Sequence, residues 1–365
     1  MNEQNGSADR DGGTGVRREP DWGRLADGTP VARWVLTDGV LEVGLLEHGA
    51  RIQSVLAPDW DGTRADVVLG FPGLAPYAGK GRSFGATIGR FANRIAGGEF
   101  DLDGQRVSIP TTDRGNAIHG GPHPFSEQLW TAHPVDGVRG VRFSLFSPDG
   151  DNGFPGGLSV HVTHVLREGA LTITYSATTD APTVLNLTNH AYFDLAGEGS
   201  GTIDAHLVQV LADRFLPVDE TGLPTGEFRA VEGTPFDLRE AVPVGYRVEL
   251  DDEQLHRGKG FDHCYVLADV PGGARPPALA AVVTEPVSGR TLEVRTDQPG
   301  IQFFTGGSLA GTLVGASGTA YGPRAGLALE TQAFPDAPNH PEFPTTVLLP
   351  GEEFRSVTEF RFTAV

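Results

Sequence analysis

The chain has 365 residues, with 28 lysines and arginines against 47 aspartates and glutamates, a formal net charge of −19. That excess of negative charge repels phosphate backbones and anionic lipid, and no basic cluster exceeds Arg17-Arg18, so nucleic acid and membrane surfaces are not expected partners. A lone cysteine, Cys264, excludes an intramolecular disulfide and any cysteine-based zinc site, as expected in a reducing compartment. Glycine (50) and proline (27) make up about a fifth of the chain, well above average usage. With 39% hydrophobic residues and 20 phenylalanines a large core is still available, so the excess implies a turn-dense β protein and not disorder.

The N-terminal stretch MNEQNGSADRDGGTG has neither a basic n-region nor an apolar h-region, and no run approaches the roughly 18 apolar residues of a membrane span. A cytoplasmic location is expected. Residues 1–28 are polar, Gly-rich and without periodicity, which predicts a flexible tail, with the fold starting near Val31. Residues 29–365 then form a single domain.

From there short alternating runs follow one another, cut by Gly, Pro, Asp and Asn: Val35 to Leu46, Ile52 to Leu56, Glu99 to Leu102, Val141 to Phe146, Leu158 to Leu166 and Leu171 to Ala177. Further runs are Leu207 to Val210, Thr291 to Val294, Ile301 to Thr305 and Gly326 to Gln332. Their lengths suit half-buried strands with period-two alternation, and no window carries a long stripe at helical spacing. The two runs around Glu168-Gly169 predict a hairpin. Length alone favours two domains, but large all-β sandwiches commonly exceed that rule, and no linker or internal repeat interrupts the pattern. The fold class is therefore all-β, a large antiparallel sandwich.

Polar residues lodged in apolar or tightly turning sequence fall in three places. The first is Phe84 to Phe100, where Arg90, Asn93 and Arg94 sit among apolar residues, followed by Asn116-Ala-Ile-His-Gly-Gly121. The glycines after His119 would let a ligand or a loop approach its backbone. The plainer alternative has the arginines pairing with surface carboxylates and His119 capping a turn.

The second place is Thr183 to Phe193. As a strand it puts Asn186, Thr188, His190 and Tyr192 on one face, a polar set unlike the Lys, Glu and Thr of a solvated sheet. In the third, Gly326 to Phe334, Glu330 is the only charge. Partial burial in such a strand raises a carboxyl pKa, the tuning a general base needs near neutrality, whereas pairing with Arg324 at a strand edge is the structural alternative.

Metal spacing is missing: His161 and His164 would face opposite sides of a strand, and no HExxH occurs. Nor is there a GxGxxG opening a helix, a Walker loop or a GxSxG elbow. His and Glu chemistry without a cofactor remains, and its natural reaction class is proton transfer.

Gly85 to Ile95, Ile118-His-Gly-Gly121, Asn186-Leu-Thr-Asn-His-Ala-Tyr-Phe193 and Leu329-Glu-Thr-Gln332 resemble the signature stretches of aldose 1-epimerases, also called galactose mutarotases. Weaker echoes lie in Asp149 to Gly156, Phe261-Asp-His263 and Pro299 to Gly306, all in the family's order. The resemblance implies a galactose mutarotase-like supersandwich that interconverts the α and β anomers of a free aldohexose such as galactose or glucose, with no cofactor. It implies Glu330 as general base and His190 as general acid, with His119, Asn93, Arg94, Asp262 and Gln302 binding the sugar. Two departures are Asp194, where the family usually has Asn, and the loop from His123, which lacks the usual Gly-Phe.

Rival expectations follow from the same residues. A hexose-6-phosphate mutarotase would need a basic pocket, and only Arg90 and Arg94 lie close together in a motif. A non-catalytic sugar sensor would lack Glu330 or His190, yet would still want a stacking aromatic such as Phe304, Phe334 or Trp130. A glycoside hydrolase would need two carboxylates, for which Asp262 and Glu330 are available. The acidity of the chain, with Asp262, is expected to keep His190 protonated. A monomer or weak dimer is expected.

Overall fold

The computed structural model describes residues 15–267 and 276–364. Three antiparallel sheets dominate. The largest has nine strands, running in space Thr131–Pro134, Gly140–Ser147, Leu158–Arg167, Ala170–Thr179, Phe354–Ala364, Arg290–Thr296, Ala278–Thr284, Leu207–Val210 and Val242–Pro243. Leu158–Arg167 shows why these runs become strands: Leu158, Val160, Val162, His164 and Leu166 are buried, while the residues between them are half-buried. The predicted hairpin is present, with Arg167 opposite Ala170 and Glu168-Gly169 both at positive φ. As the alternation requires, His164 points inward against Phe143, and His161 bonds Ser144 on the other face.

A six-stranded sheet, Tyr192–Phe193, Leu327–Gln332, Gly300–Phe304, Asp262–Val266, Arg214–Phe215 and Arg229–Ala230, packs over the first. The contact is carried by Phe193 against Phe360, with ring centroids 5.2 Å apart, and by Thr331 bonding Thr358. Leu327, Leu329 and Thr331 therefore face the large sheet and Ala328, Glu330 and Gln332 the opposite side. All six residues are buried, so the polar half of the strand, Glu330, Thr331 and Gln332, lies inside the protein as fully as its apolar half.

The third sheet orders Val16–Arg24, Pro30–Thr37, Glu42–Leu46, Arg51–Pro58 and Arg64–Asp66. Here the expectation of a flexible tail over residues 1–28 is corrected for its second half. Val16–Arg24 is an edge strand paired with Pro30–Thr37, Val16 lies in the core and Trp22 packs on Tyr77. Its sequence hides this because Arg17, Arg18 and Glu19 face outward into ion pairs, Arg18 with Glu47 and Glu19 with Arg33. A register shift between Glu19 and Gly23 accommodates Pro20 at the sheet edge. Residues 1–14 of the expected tail lie outside the described residues.

Thr183 to Phe193 is also not the single strand its alternation suggested. It breaks into Thr183–Val184, Thr188–Asn189 and Tyr192–Phe193, each paired with a different partner. Asparagine side chains bridge the gaps: Asn186 bonds the Ala92 and Ala333 carbonyls and the Ala333 N–H, and Asn189 bonds the Gly85 carbonyl and the Ala191 N–H. The polar stripe thus divides, Asn186 serving the backbone while His190 and Tyr192 reach a pocket. No helix among the described residues is long and apolar enough to cross a membrane.

Candidate active site

The pocket, about 460 Å3, opens on the face of the six-stranded sheet that carries Glu330. Four segments build it. Leu327–Gln332 brings Glu330; the turn before Tyr192 brings His190; Asp262–Val266 brings Asp262; and the short pair of Arg94–Ile95 with Ala117–Ile118 brings Asn93, Arg94 and His119.

That last pairing rests on left-handed backbone at Asn93 and His119, with φ of 63° and 54°. The Asn93 side chain accepts the Arg94 N–H at 2.9 Å, and the Asn93 N–H donates to His119 Nδ1 at 3.2 Å. His119 therefore carries its proton on Nε2. Burial, His190 and two arginines hold its pKa well below the usual histidine range, so it is a neutral donor. Gly120 explains the His-Gly-Gly sequence, since a Cβ there would lie 2.1 Å from the Gly89 carbonyl oxygen.

His190 and Glu330 meet in the wall of this pocket. Nε2 of His190 stands 3.6 Å from Glu330 Oε1, and both side chains are almost wholly buried. Tyr192 packs on the His190 ring at 4.9 Å, and His119 meets it edge-on at 5.5 Å. His190 Nδ1 and Glu330 Oε2 have no protein partner, leaving polar atoms for a ligand to satisfy. Arg324, the alternative partner for Glu330, bonds Asp204 and Glu249 instead.

Burial, reinforced by Asp262, pushes the Glu330 carboxyl well above its ordinary range, with Arg94 opposing. Burial also lowers His190 to about 4, and here the expectation from sequence is corrected: Asp262 acts in the predicted direction, but desolvation outweighs it. Burial thus favours the uncharged form of both groups. Moving the carboxyl proton to His190 would leave a carboxylate beside an imidazolium with no change in proton count.

Asp262 lies beside the pair, its Oδ1 accepting from Gln302 Nε2 at 2.7 Å and its Oδ2 standing 4.0 Å from Arg94. Gln302 does not line the pocket; it faces Asp262 from the neighbouring strand, directly opposite Glu330 in the register. Of the expected sugar contacts, Asn93, Arg94, His119 and Asp262 line the pocket and Gln302 stands behind it.

Several candidates prove structural. Arg90 is buried under the carbonyls of Ser147, Pro148, Pro155 and Gly156, in the loop that gave the Asp149 to Gly156 resemblance. Trp130 and Phe334 are core, and only Phe304 of the proposed stacking aromatics reaches the pocket. The sequence reading missed Asp113, Arg114, Arg257, Lys259, Ser83 and Ser308 at the rim. Only Arg114-Gly115 carried a signal, as the centre of a tight turn. No cluster of three or more His, Cys, Asp or Glu able to hold a metal occurs among the described residues.

The sequence profile of the aldose 1-epimerase family matches residues 32–361. Galactose mutarotase from Homo sapiens is 44% identical over 336 residues, covering 92% of this chain and 95% of its own. Aldose 1-epimerase from Escherichia coli is 39% identical over 343 residues, covering 93% and 97%. The crystal structure of galactose 1-epimerase from Lactobacillus acidophilus superposes with a TM-score of 0.83 at 28% identity, covering 96% of this chain and 99% of that one. Fold, pocket and relatives agree, and the chain belongs to the aldose 1-epimerase family, isomerases that interconvert the α and β anomers of aldoses.

Proposed function

We propose that the substrate is a free, neutral aldohexose such as galactose or glucose, that Glu330 is the general base, and that His190 is the general acid. The observation that carries this reading is the 3.6 Å approach of His190 Nε2 to Glu330 Oε1. A pyranose changes anomer when the C1 hydroxyl loses its proton and the ring oxygen gains one. Both oxygens are bonded to C1, so acid and base have to stand side by side.

Glu330, ionised, takes the hydroxyl proton as the electron pair of the broken O–H bond forms the aldehyde carbonyl. The bond from C1 to the ring oxygen breaks, and His190 donates its proton to that oxygen. Rotation about C1–C2 presents the other face of the carbonyl. On closure the C5 hydroxyl attacks, His190 recovers its proton and Glu330 returns its own to the new C1 hydroxyl. The cycle needs no net proton from solvent.

Asn93, Arg94, Asp262 and the Nε2–H of His119 bind sugar oxygens, while Gln302 positions Asp262. Gln302 thus acts one layer behind the contact role the family resemblance implied. Phe304 and Tyr192 offer an apolar wall to a sugar face. Polarimetry or saturation-transfer NMR on freshly dissolved α-galactose and α-glucose tests the reading. Acceleration supports it; sugar binding without acceleration on any aldohexose would make the protein a sensor.

The phosphate alternative has a specific observation to meet. Arg90 is absent from the pocket, yet Arg94, Arg114, Arg257 and Lys259 line it. Three of these are engaged: Arg94 and Arg114 with Asp113, and Arg257 with Glu220 and Glu253. A phosphate would have to displace carboxylates, which favours the neutral sugar. Faster turnover of galactose 6-phosphate than of galactose would reverse that choice. The acidic charge of the chain argues against nucleic acid and membrane surfaces as partners, and the lone Cys264 fits a cytoplasmic setting.

A further inference from the structure

Arg94 and Asp262 are opposite charges facing one pocket, and their nearest approach is 4.0 Å, outside hydrogen-bonding distance. Two such groups, half-desolvated and without competition, close into a charge-assisted pair. Two contacts keep Arg94 from doing so. Its Nε donates to Asp113 Oδ2 at 2.8 Å and its Nη1 donates to the Gly222 carbonyl at 3.4 Å, an approach that Gly222 leaves open, since a Cβ there would fall 3.0 Å from the guanidinium carbon.

Asp113 is held as firmly as the residue it holds. It exchanges backbone hydrogen bonds with Asn116 at 3.0 and 2.8 Å across a two-residue turn, with Arg114 at φ 48° and Gly115 at φ 84°. Positive φ at both central positions is the tight type I′ hairpin turn. The turn leads directly into Ala117–Ile118, where Ile118 is the register partner of Arg94. One small hairpin thus fixes both the carboxylate and the guanidinium it binds.

We propose that Asp113 is a positioning residue for sugar binding: by occupying the Nε edge of Arg94 it keeps Arg94 and Asp262 apart, leaving both free for substrate hydroxyls. The inference rests on the assignment of Arg94 to the sugar. Without Asp113, Arg94 swings onto Asp262 and the sugar has to break that pair to enter. The cost falls on binding, because neither group moves a proton in the reaction.

The test compares kcat and KM for galactose in the wild type, Asp113→Asn, Arg94→Ala and the double variant. Asparagine keeps the size and one acceptor oxygen but removes the charge. We expect Asp113→Asn to raise KM about tenfold with kcat within about threefold, and to change KM less than about twofold when Arg94 is already alanine. A near-wild-type KM in Asp113→Asn, or the same rise with and without Arg94, overturns the inference. A fall in kcat with KM unchanged overturns it too. If Arg94→Ala itself leaves KM unaltered, the sugar assignment of Arg94 fails, and the role of Asp113 with it; raised KM in Arg94→Ala alone overturns only the role of Asp113.

Discussion

Glu330→Gln separates chemistry from architecture. The residue is 2% exposed, its Oε2 meets no protein donor, and burial together with Asp262 disfavours its charged form. An amide of the same shape removes that unfavourable ionisation and keeps the volume, so the fold should be as stable as the wild type or more so. The catalytic loss should be large. A positioned proton-transfer group typically contributes roughly 10²- to 10⁴-fold, so kcat should fall at least a hundredfold, about 3 kcal/mol on the barrier. Because His190 can give a proton only while Glu330 takes one, adding His190→Asn to Glu330→Gln should cost little more than either change alone. The assay is polarimetry on α-galactose at several enzyme concentrations, with the spontaneous rate subtracted, alongside a thermal melt of each variant. A kcat within tenfold of wild type, or a loss that tracks a falling Tm, would refute the assignment of Glu330 as base.

The pH profile of kcat/KM should be bell-shaped around the one-proton state of the pair. Activity should fall as pH drops through about 4, where His190 charges beside a protonated Glu330, and again on the alkaline side, where the raised Glu330 carboxyl finally empties the pair; a decline already complete by pH 6 would contradict this. Asp194 is fully buried and raised from 3.8 to about 6, chiefly by desolvation. Its contribution to stability is therefore present below pH 3.8 and lost as pH rises through 6, so Asp194→Asn should gain up to about 3 kcal/mol over wild type between pH 4 and 8, read from urea melts at both pH values. A gain independent of pH would show that ionisation is not the cause. Deleting residues 1–24 should lower stability relative to a chain beginning at Gly15, by about 2 kcal/mol for exposing the cavity of Val16 alone, and equal melts would mean that the edge strand is dispensable.

How much of this was legible beforehand depended on what kind of order each residue obeys. Leu158–Arg167 declares itself because period-two alternation follows from the pleat, and in Leu327–Gln332 Glu330 stands out because a strand buried on both faces leaves no ordinary place for a charge. Val16–Arg24 was invisible for the complementary reason. An edge strand held by its backbone ladder and outward ion pairs has one buried aliphatic and no period to detect. Thr183 to Phe193 failed differently: its residues alternate as a strand would, but Asn186 and Asn189 use their amides as substitutes for ladder partners, so the chain turns between layers while the pattern continues.

The site divides along the same line. Glu330, His190, His119 and Arg94 lie in segments where a polar residue is anomalous for its local surroundings, and such anomalies can be seen one segment at a time. Asp113, Arg257 and Lys259 are ordinary charges in polar loops and at the end of the short helix Glu253–Gly258, and nothing local marks them. What gives them significance is pairwise: Asp113 matters through a 2.8 Å bond to a residue 19 positions away, and Arg257 through Glu220, 37 positions away. Arg90 makes the converse point, since its motif position looked functional although the guanidinium is spent on carbonyls up to 66 residues distant. Charge in the sequence therefore identifies the pocket only where burial has already made it costly. The partners that set how those charges are held come from topology, which is why the electrostatics of the rim had to be read from the fold.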